Sequence, residues 1–314
     1  MAKYRHHLPQ LDGGLFATDG GIETTLIFHD GQDLPYFAAF HLLKDEAGTQ
    51  VLRNYFRRHA QIAQANGTGF IFESATWRSS PDWGHKLGYS AAELADANRK
   101  AITMLLELRD EFETPETPCV VSGCIGPRGD GYDPGDVMSA EEAQAYHATQ
   151  AQVFAEAGAD MITAITTTNV PEAIGITRAA QAEGMPVVIS FTVETDGCLP
   201  TGQKLDEAIG LVDQATGNGP AYYMINCAHP SHFAGVLNDE PWMERLRGLR
   251  CNASKKSHAE LDEADELDAG DPQELGADYR ALLQRFPRIN VVGGCCGTDQ
   301  RHIHQICVAC KAAA

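Results

Sequence analysis

At 314 residues the chain can hold one large α/β domain or two modest ones, and its 43% apolar and 21% charged residues exclude global disorder. Lys and Arg number 24 against 43 Asp and Glu, a formal net charge of −19 that argues against nucleic-acid or anionic-membrane partners. No apolar run reaches the roughly 18 residues of a membrane helix. The first residues lack a secretory apolar region, and nine cysteines in a chain of this size predict reduced thiols in the cytoplasm.

Short β-branched or aromatic runs alternate with helical spacing along the whole chain. Strands are predicted at Leu15–Thr18, Phe70–Glu73, Val120–Gly123, Met161–Ala164, Val187–Phe191, Tyr222–Asn226, Gly248–Arg250 and Asn290–Val292. Helices are predicted near Val51–Asn66, Ala91–Phe112, Ala140–Ala157, Pro171–Glu183, Leu205–Gln214, Pro241–Leu246, Pro272–Phe286 and Gln300–Cys310. Ser139 before Glu141-Glu142 reads as a capping box, and Pro171 and Pro272 suit a first helical turn.

Eight such units predict an α/β fold, a (β/α)8 TIM barrel in one domain spanning 1–314. An open doubly wound sheet is the alternative, but Gly126-Pro127-Arg128-Gly129 has the wrong spacing for a dinucleotide loop. The tract 258–271, with seven carboxylates, reads as an acidic surface insertion, a solvated loop or surface helix.

Cys227 follows the sixth strand, and Cys295 and Cys296 follow the eighth. Residues just past strand ends gather on one face of a barrel, so the three thiols can converge. Three thiolates suit a zinc ion with one coordination position left open, the pattern of a catalytic site. The bland alternative is a set of small packed residues.

Gly293-Gly294-Cys295-Cys296-Gly297-Thr298 with the upstream Asn226-Cys227 resembles the zinc-dependent homocysteine S-methyltransferase family. Thr18-Asp19-Gly20-Gly21 resembles the family's first-strand substrate loop, and Ser190-Phe191 followed by Gly202-Gln203-Lys204-Leu205 its fifth strand and the segment beyond. The resemblance implies one zinc ion per chain on Cys227, Cys295 and Cys296. It also implies methyl transfer from a small sulfonium or quaternary ammonium donor to a thiol, homocysteine giving methionine. Asp19 matches the aspartate that contacts the homocysteine amino group, with Gly20, Gly21, Thr76 and Asn226 among the expected substrate contacts.

Trp77 is the expected donor contact, because an aromatic face attracts an onium cation; Trp83 is a weaker candidate. Glu23 and Glu73 lie near strand ends, Glu23 placed with Asp19 in the catalytic set and Glu73 with the substrate contacts. His229 is a possible support for Cys227, and Cys307-Val308-Ala309-Cys310 reads as packing within the last helix. One departure stands out: Ile165 falls where the family usually carries a glutamate that holds the homocysteine ammonium. That leaves two rival readings, the same methyl transfer to a different thiol and a non-catalytic zinc-binding or thiol-sensing protein. The oligomeric state is left open.

Overall fold

The eight apolar runs form eight parallel strands that close into a barrel in sequence order. They are β1 Phe16–Ala17, β2 Gly69–Glu73, β3 Cys119–Ile125, β4 Met161–Thr167, β5 Val187–Thr192, β6 Tyr222–Asn226, β7 Leu246–Cys251 and β8 Val291–Gly294. The computed structural model describes residues 2–263 and 266–311. Seven long helices pack outside: α1 Glu46–Asn66, α2 Ala91–Phe112, α3 Ala140–Ala157, α4 Val170–Ala182, α5 Leu205–Thr216, α6 Pro272–Arg285 and α7 Gln300–Lys311. Among the described residues no helix is long and apolar enough to cross a membrane.

The strands are continuous apolar runs because both faces are covered. Inward, Phe16, Ile71, Val120, Met161, Val188, Tyr222, Met224 and Val291 fill the barrel, with Leu8 joining them from below. Gly69 is required there, since a Cβ would sit 2.2 Å from the Phe16 ring. The capping box at Ser139 forms with Glu142, and α4, capped by Asn169, begins at Val170, one residue before the predicted start. One expectation changes. Pro241–Arg245 is a single 3-10 turn, and Leu246, fully buried, opens β7 instead of ending a helix.

Asp160 closes the amino-terminal end of the barrel. Its Oδ1 accepts from the backbone N–H of Lys3 at 2.7 Å and Tyr4 at 2.8 Å, and its Oδ2 from Arg109 and the Val121 N–H, both at 2.9 Å. The Asp160 and Arg109 side chains are almost wholly buried. Removing one charge strands the other, so Asp160→Asn is expected to lower the unfolding free energy by roughly 3–5 kcal/mol. Urea denaturation measures it, and an unchanged midpoint would show that the pair is not holding the N-terminal segment.

Candidate active site

At the other end of the barrel, glycines let the loops after β1 and β8 interlock. A Cβ at Gly21 would lie 2.5 Å from the Cys295 carbonyl oxygen, one at Gly293 1.9 Å from Thr18 Oγ1, and one at Gly294 2.1 Å from Thr298 Oγ1. Bare backbone at these three positions brings Cys295 and Cys296 against the first-strand loop. Cys227 arrives from β6 in a left-handed conformation, φ +57°. Its carbonyl accepts from Asn252 Nδ2 at 3.0 Å and lies against the His258 ring nitrogen Nε2.

The three sulfurs lie within 4.8 Å of one another, with Cys227 Sγ 3.4 Å from Cys296 Sγ. Hydrogen bonds from Cys227 and Cys296 hold the Cys295 thiol well below its ordinary pKa, and the nearby Arg250 guanidinium adds to this. The Cys227 thiol rises in turn, because it shares those hydrogen bonds with Cys295 and Cys296. Tyr132 places its hydroxyl 3.1 Å from Cys227 Sγ and 3.3 Å from Cys296 Sγ, and its ring stacks on His258 at 4.0 Å. Burial keeps that phenol protonated, so it is a hydrogen-bond donor to sulfur.

These groups border a cavity of about 450 Å³. Asp19, Gly20, Gly21, Glu23, Glu73 and Trp77 line it, as does Ile165. Asp19 is held tightly: its Oδ1 accepts from Arg250 Nη2 and its Oδ2 from the Tyr55 hydroxyl, each at 2.8 Å. Burial lifts both Glu23 and Glu73 to a pKa of about 7. Buried Glu73 leaves Oε2 without a partner, and Arg250 leaves Nη1 so.

Two expected substrate contacts do not reach the cavity. Thr76 is fully buried, its hydroxyl donating to the Cys124 carbonyl at 2.7 Å and paired with Ser74 Oγ at 2.6 Å. Asn226 is a brace instead: its Oδ1 accepts from the Thr166 N–H and Ser190 Oγ, and its Nδ2 donates to Thr166 Oγ1. Trp77 keeps its place, but the Arg78 guanidinium covers its ring at 4.1 Å and its indole N–H donates to the Ile165 carbonyl. Trp83 lies outside the cavity, between Arg78 and Lys86. His229 bonds to Ser231, and it is His258 that reaches the Cys227 carbonyl. Cys307 and Cys310 are buried core residues, as expected.

The acidic tract differs from the surface reading. Leu261, Glu266, Leu267 and Asp268 form part of the cavity wall, while Glu260, Glu263 and Asp271 face solvent. Asp265 lies outside the described residues. Tyr132, Arg250 and His258 went unnoticed in the sequence, and Arg78 was weighed only as a pairing partner for Glu23 or Glu73. Only Tyr132 carried a signal, a lone aromatic in the glycine-rich loop 129–135 after β3.

A barrel with three converging thiols at its carboxyl-terminal face defines a class, the barrels whose chemistry is centred on cysteine sulfur. The chain belongs to the homocysteine S-methyltransferase family, which it matches over residues 17–310, and is an S-methyltransferase. Homocysteine S-methyltransferase 3 of Zea mays is 26% identical, across 94% of this chain and 89% of its own. The selenocysteine Se-methyltransferase of Brassica oleracea var. italica is 25% identical across 94% and 88%. The methionine synthase of Mycobacterium leprae (strain TN) is 25% identical over 82% of this chain, which spans only 20% of that protein. In fold, the metallated form of the homocysteine methyltransferase MmuM from Escherichia coli superposes with a TM-score of 0.73 at 19% identity, covering 98% of this chain and 99% of that one.

The raised pKa of Glu73 has a thermodynamic consequence. Folding takes up a proton at this group, so its contribution to stability is full below about pH 4.5 and is lost as pH rises through about 7. Between pH 5 and pH 8 the metal-free wild type is expected to lose on the order of 2–3 kcal/mol relative to Glu73→Gln. Urea melts of both proteins at the two pH values measure the difference.

Proposed function

We propose that the chain transfers a methyl group from a small sulfonium or quaternary ammonium donor to the thiol of homocysteine, with one zinc ion held by Cys227, Cys295 and Cys296. The observation that carries this reading is the mutual approach of three sulfurs within 4.8 Å, that of buried Cys227 and those of half-buried Cys295 and Cys296, beside an open cavity. That donor set is soft and anionic and fits zinc with one position free. Bound there, zinc supplies the acidity that turns an alkyl thiol, ordinarily of pKa about 8.5, into a thiolate at neutral pH.

The remaining work falls to the chain. The acceptor loses its S–H proton, a sulfur–methyl bond forms, and the donor's carbon–onium bond breaks to release a neutral amine or thioether. No protein nucleophile takes part. Tyr132 and the Arg250 guanidinium temper the negative charge of the thiol cluster. Phe28, Phe37 and the free surface of Trp77 face the cavity beside Asp130, Glu266 and Asp268, a wall that favours a cation. Positioning the onium methyl in line with sulfur is then the main catalytic requirement. Cys227 and Cys296, 3.4 Å apart, must stay reduced, which supports a cytoplasmic setting.

Ile165 favours a second reading, in which the acceptor is a different small thiol, because an isoleucine cannot hold an ammonium group. A donor-by-acceptor screen of the zinc-loaded protein, reading methylated thiol by mass, tests both. Methylation of homocysteine by an onium donor is expected, and no methylated thiol from any pair would refute the assignment. Cys296→Ala is expected to lose the metal and all turnover while keeping the far-UV spectrum of the barrel; metal retained at full stoichiometry contradicts the ligand set. Trp77→Ala is expected to raise KM for the donor roughly 5- to 30-fold and leave that for the thiol nearly unchanged, and equal effects on the two would remove Trp77 from the donor site.

A further inference from the structure

The loop between β3 and α3 carries Tyr132 to the sulfurs, yet its main chain does little to hold itself. Among the described residues, 127–138 make no backbone–backbone hydrogen bond. Side chains from other elements hold it instead. Arg78 Nη1 donates to the Gly129 carbonyl at 2.8 Å, and Trp83 Nε1 to the Arg128 carbonyl at 3.0 Å. Glu172 Oε1 accepts the Arg128 N–H at 2.8 Å.

Glu172 is itself fixed from several sides. It stands in the first turn of α4 and is 4% exposed. The same Oε1 meets Nε2 of fully buried His147, on α3, at 3.0 Å. Its Oε2 accepts from Asn169 Nδ2 at 3.3 Å, while Asn169 Oδ1 accepts the Glu172 N–H at 2.9 Å. None of these residues borders the cavity. Beyond Arg128, however, the loop delivers parts of the site. Gly131 packs so closely that a Cβ there would lie 3.0 Å from Thr166 Cγ2 and 3.3 Å from Trp77 Cζ2. Tyr132 follows, with its hydroxyl on Cys227 and Cys296. A carboxylate that accepts several hydrogen bonds is a strong anchor, and a small misplacement near reacting atoms is costly.

We propose that Glu172, backed by His147, is a positioning residue: through the Arg128 N–H it fixes the β3–α3 loop, and so seats Tyr132 on the thiol cluster and Gly131 against Trp77. Its effect on turnover rests on the thiol-methylation reading, whereas its effect on the loop does not.

The test is timed alkylation of the reduced, metal-free protein with iodoacetamide, comparing half-buried Cys296 with half-buried Cys198, outside the cavity, by peptide mass. Tyr132→Ala uncovers Cys296 and is expected to speed its labelling relative to Cys198 roughly 5- to 30-fold. Glu172→Met removes the acceptor at similar side-chain length and is expected to do the same. The double variant is expected to exceed Tyr132→Ala by little, because both act through one loop. Arg128→Pro deletes the N–H at an exposed residue and leaves the buried pair alone; it is expected to match Glu172→Met, and it decides the question if Glu172→Met does not fold. Arg128→Ala keeps the N–H and is expected to label as wild type. Glu172→Gln keeps an oxygen for Arg128 and is expected to restore both the labelling ratio and the turnover of the zinc-loaded protein to within a few-fold of wild type. Folded Glu172→Met or Arg128→Pro labelling at the wild-type ratio overturns the anchor, as do effects of Glu172→Met and Tyr132→Ala that multiply. A zinc-loaded wild type that methylates no thiol defeats the methylation reading, while the labelling series still judges the anchor.

Discussion

The Arg250–Asp19 pair is the constraint on which the active face depends. A guanidinium rooted in β7 crosses the end of β8 through the Gly294 carbonyl and finishes on the β1 carboxylate. The seam between the last and first strands, where a barrel must close, is thereby fixed by charge as well as by the ladder. The same guanidinium stabilises the Cys295 thiolate, and the Arg250 carbonyl accepts the Cys227 N–H. Ring closure and sulfur chemistry share one side chain. A buried ion pair of this kind is weak evidence for net stability, but losing one partner is severe.

Around that pair the site is assembled from departures from ordinary backbone. Cys227 and Thr166 both adopt positive φ, at the carboxyl ends of β6 and β4. Neither residue type favours that region, Thr least of all. Asn226 compensates by gripping Thr166 through both its backbone N–H and its hydroxyl. The strain therefore sits on two strands that flank β5, where it aims side chains rather than merely bending a loop.

The alternation of apolar runs and helical spacing made the barrel legible, because a fully buried parallel strand needs little but local composition to declare itself. Two members of the thiol cluster were legible for a similar reason: Gly293, Gly294 and Cys295-Cys296 are contiguous. Arg250 was not, since an arginine in a strand reads as an edge or surface residue until its distant partner Asp19 is known. Thr76 and Asn226 were assigned to substrate because strand-end position alone cannot say which way a side chain turns. His258 was obscured by the carboxylates that follow it, although the tract they define contributes wall to the cavity as well as charge to the surface.

The plugged lower end of the barrel governs traffic. Leu8 and the interior layer close that end, and Asp160 pins the segment that carries the plug. The sulfurs and the aromatic and acidic groups border one cavity at the opposite end, so under the proposed reaction both substrates meet there. Direct transfer without a protein nucleophile, as proposed, requires donor and acceptor to occupy that cavity together, so the kinetics become sequential rather than ping-pong.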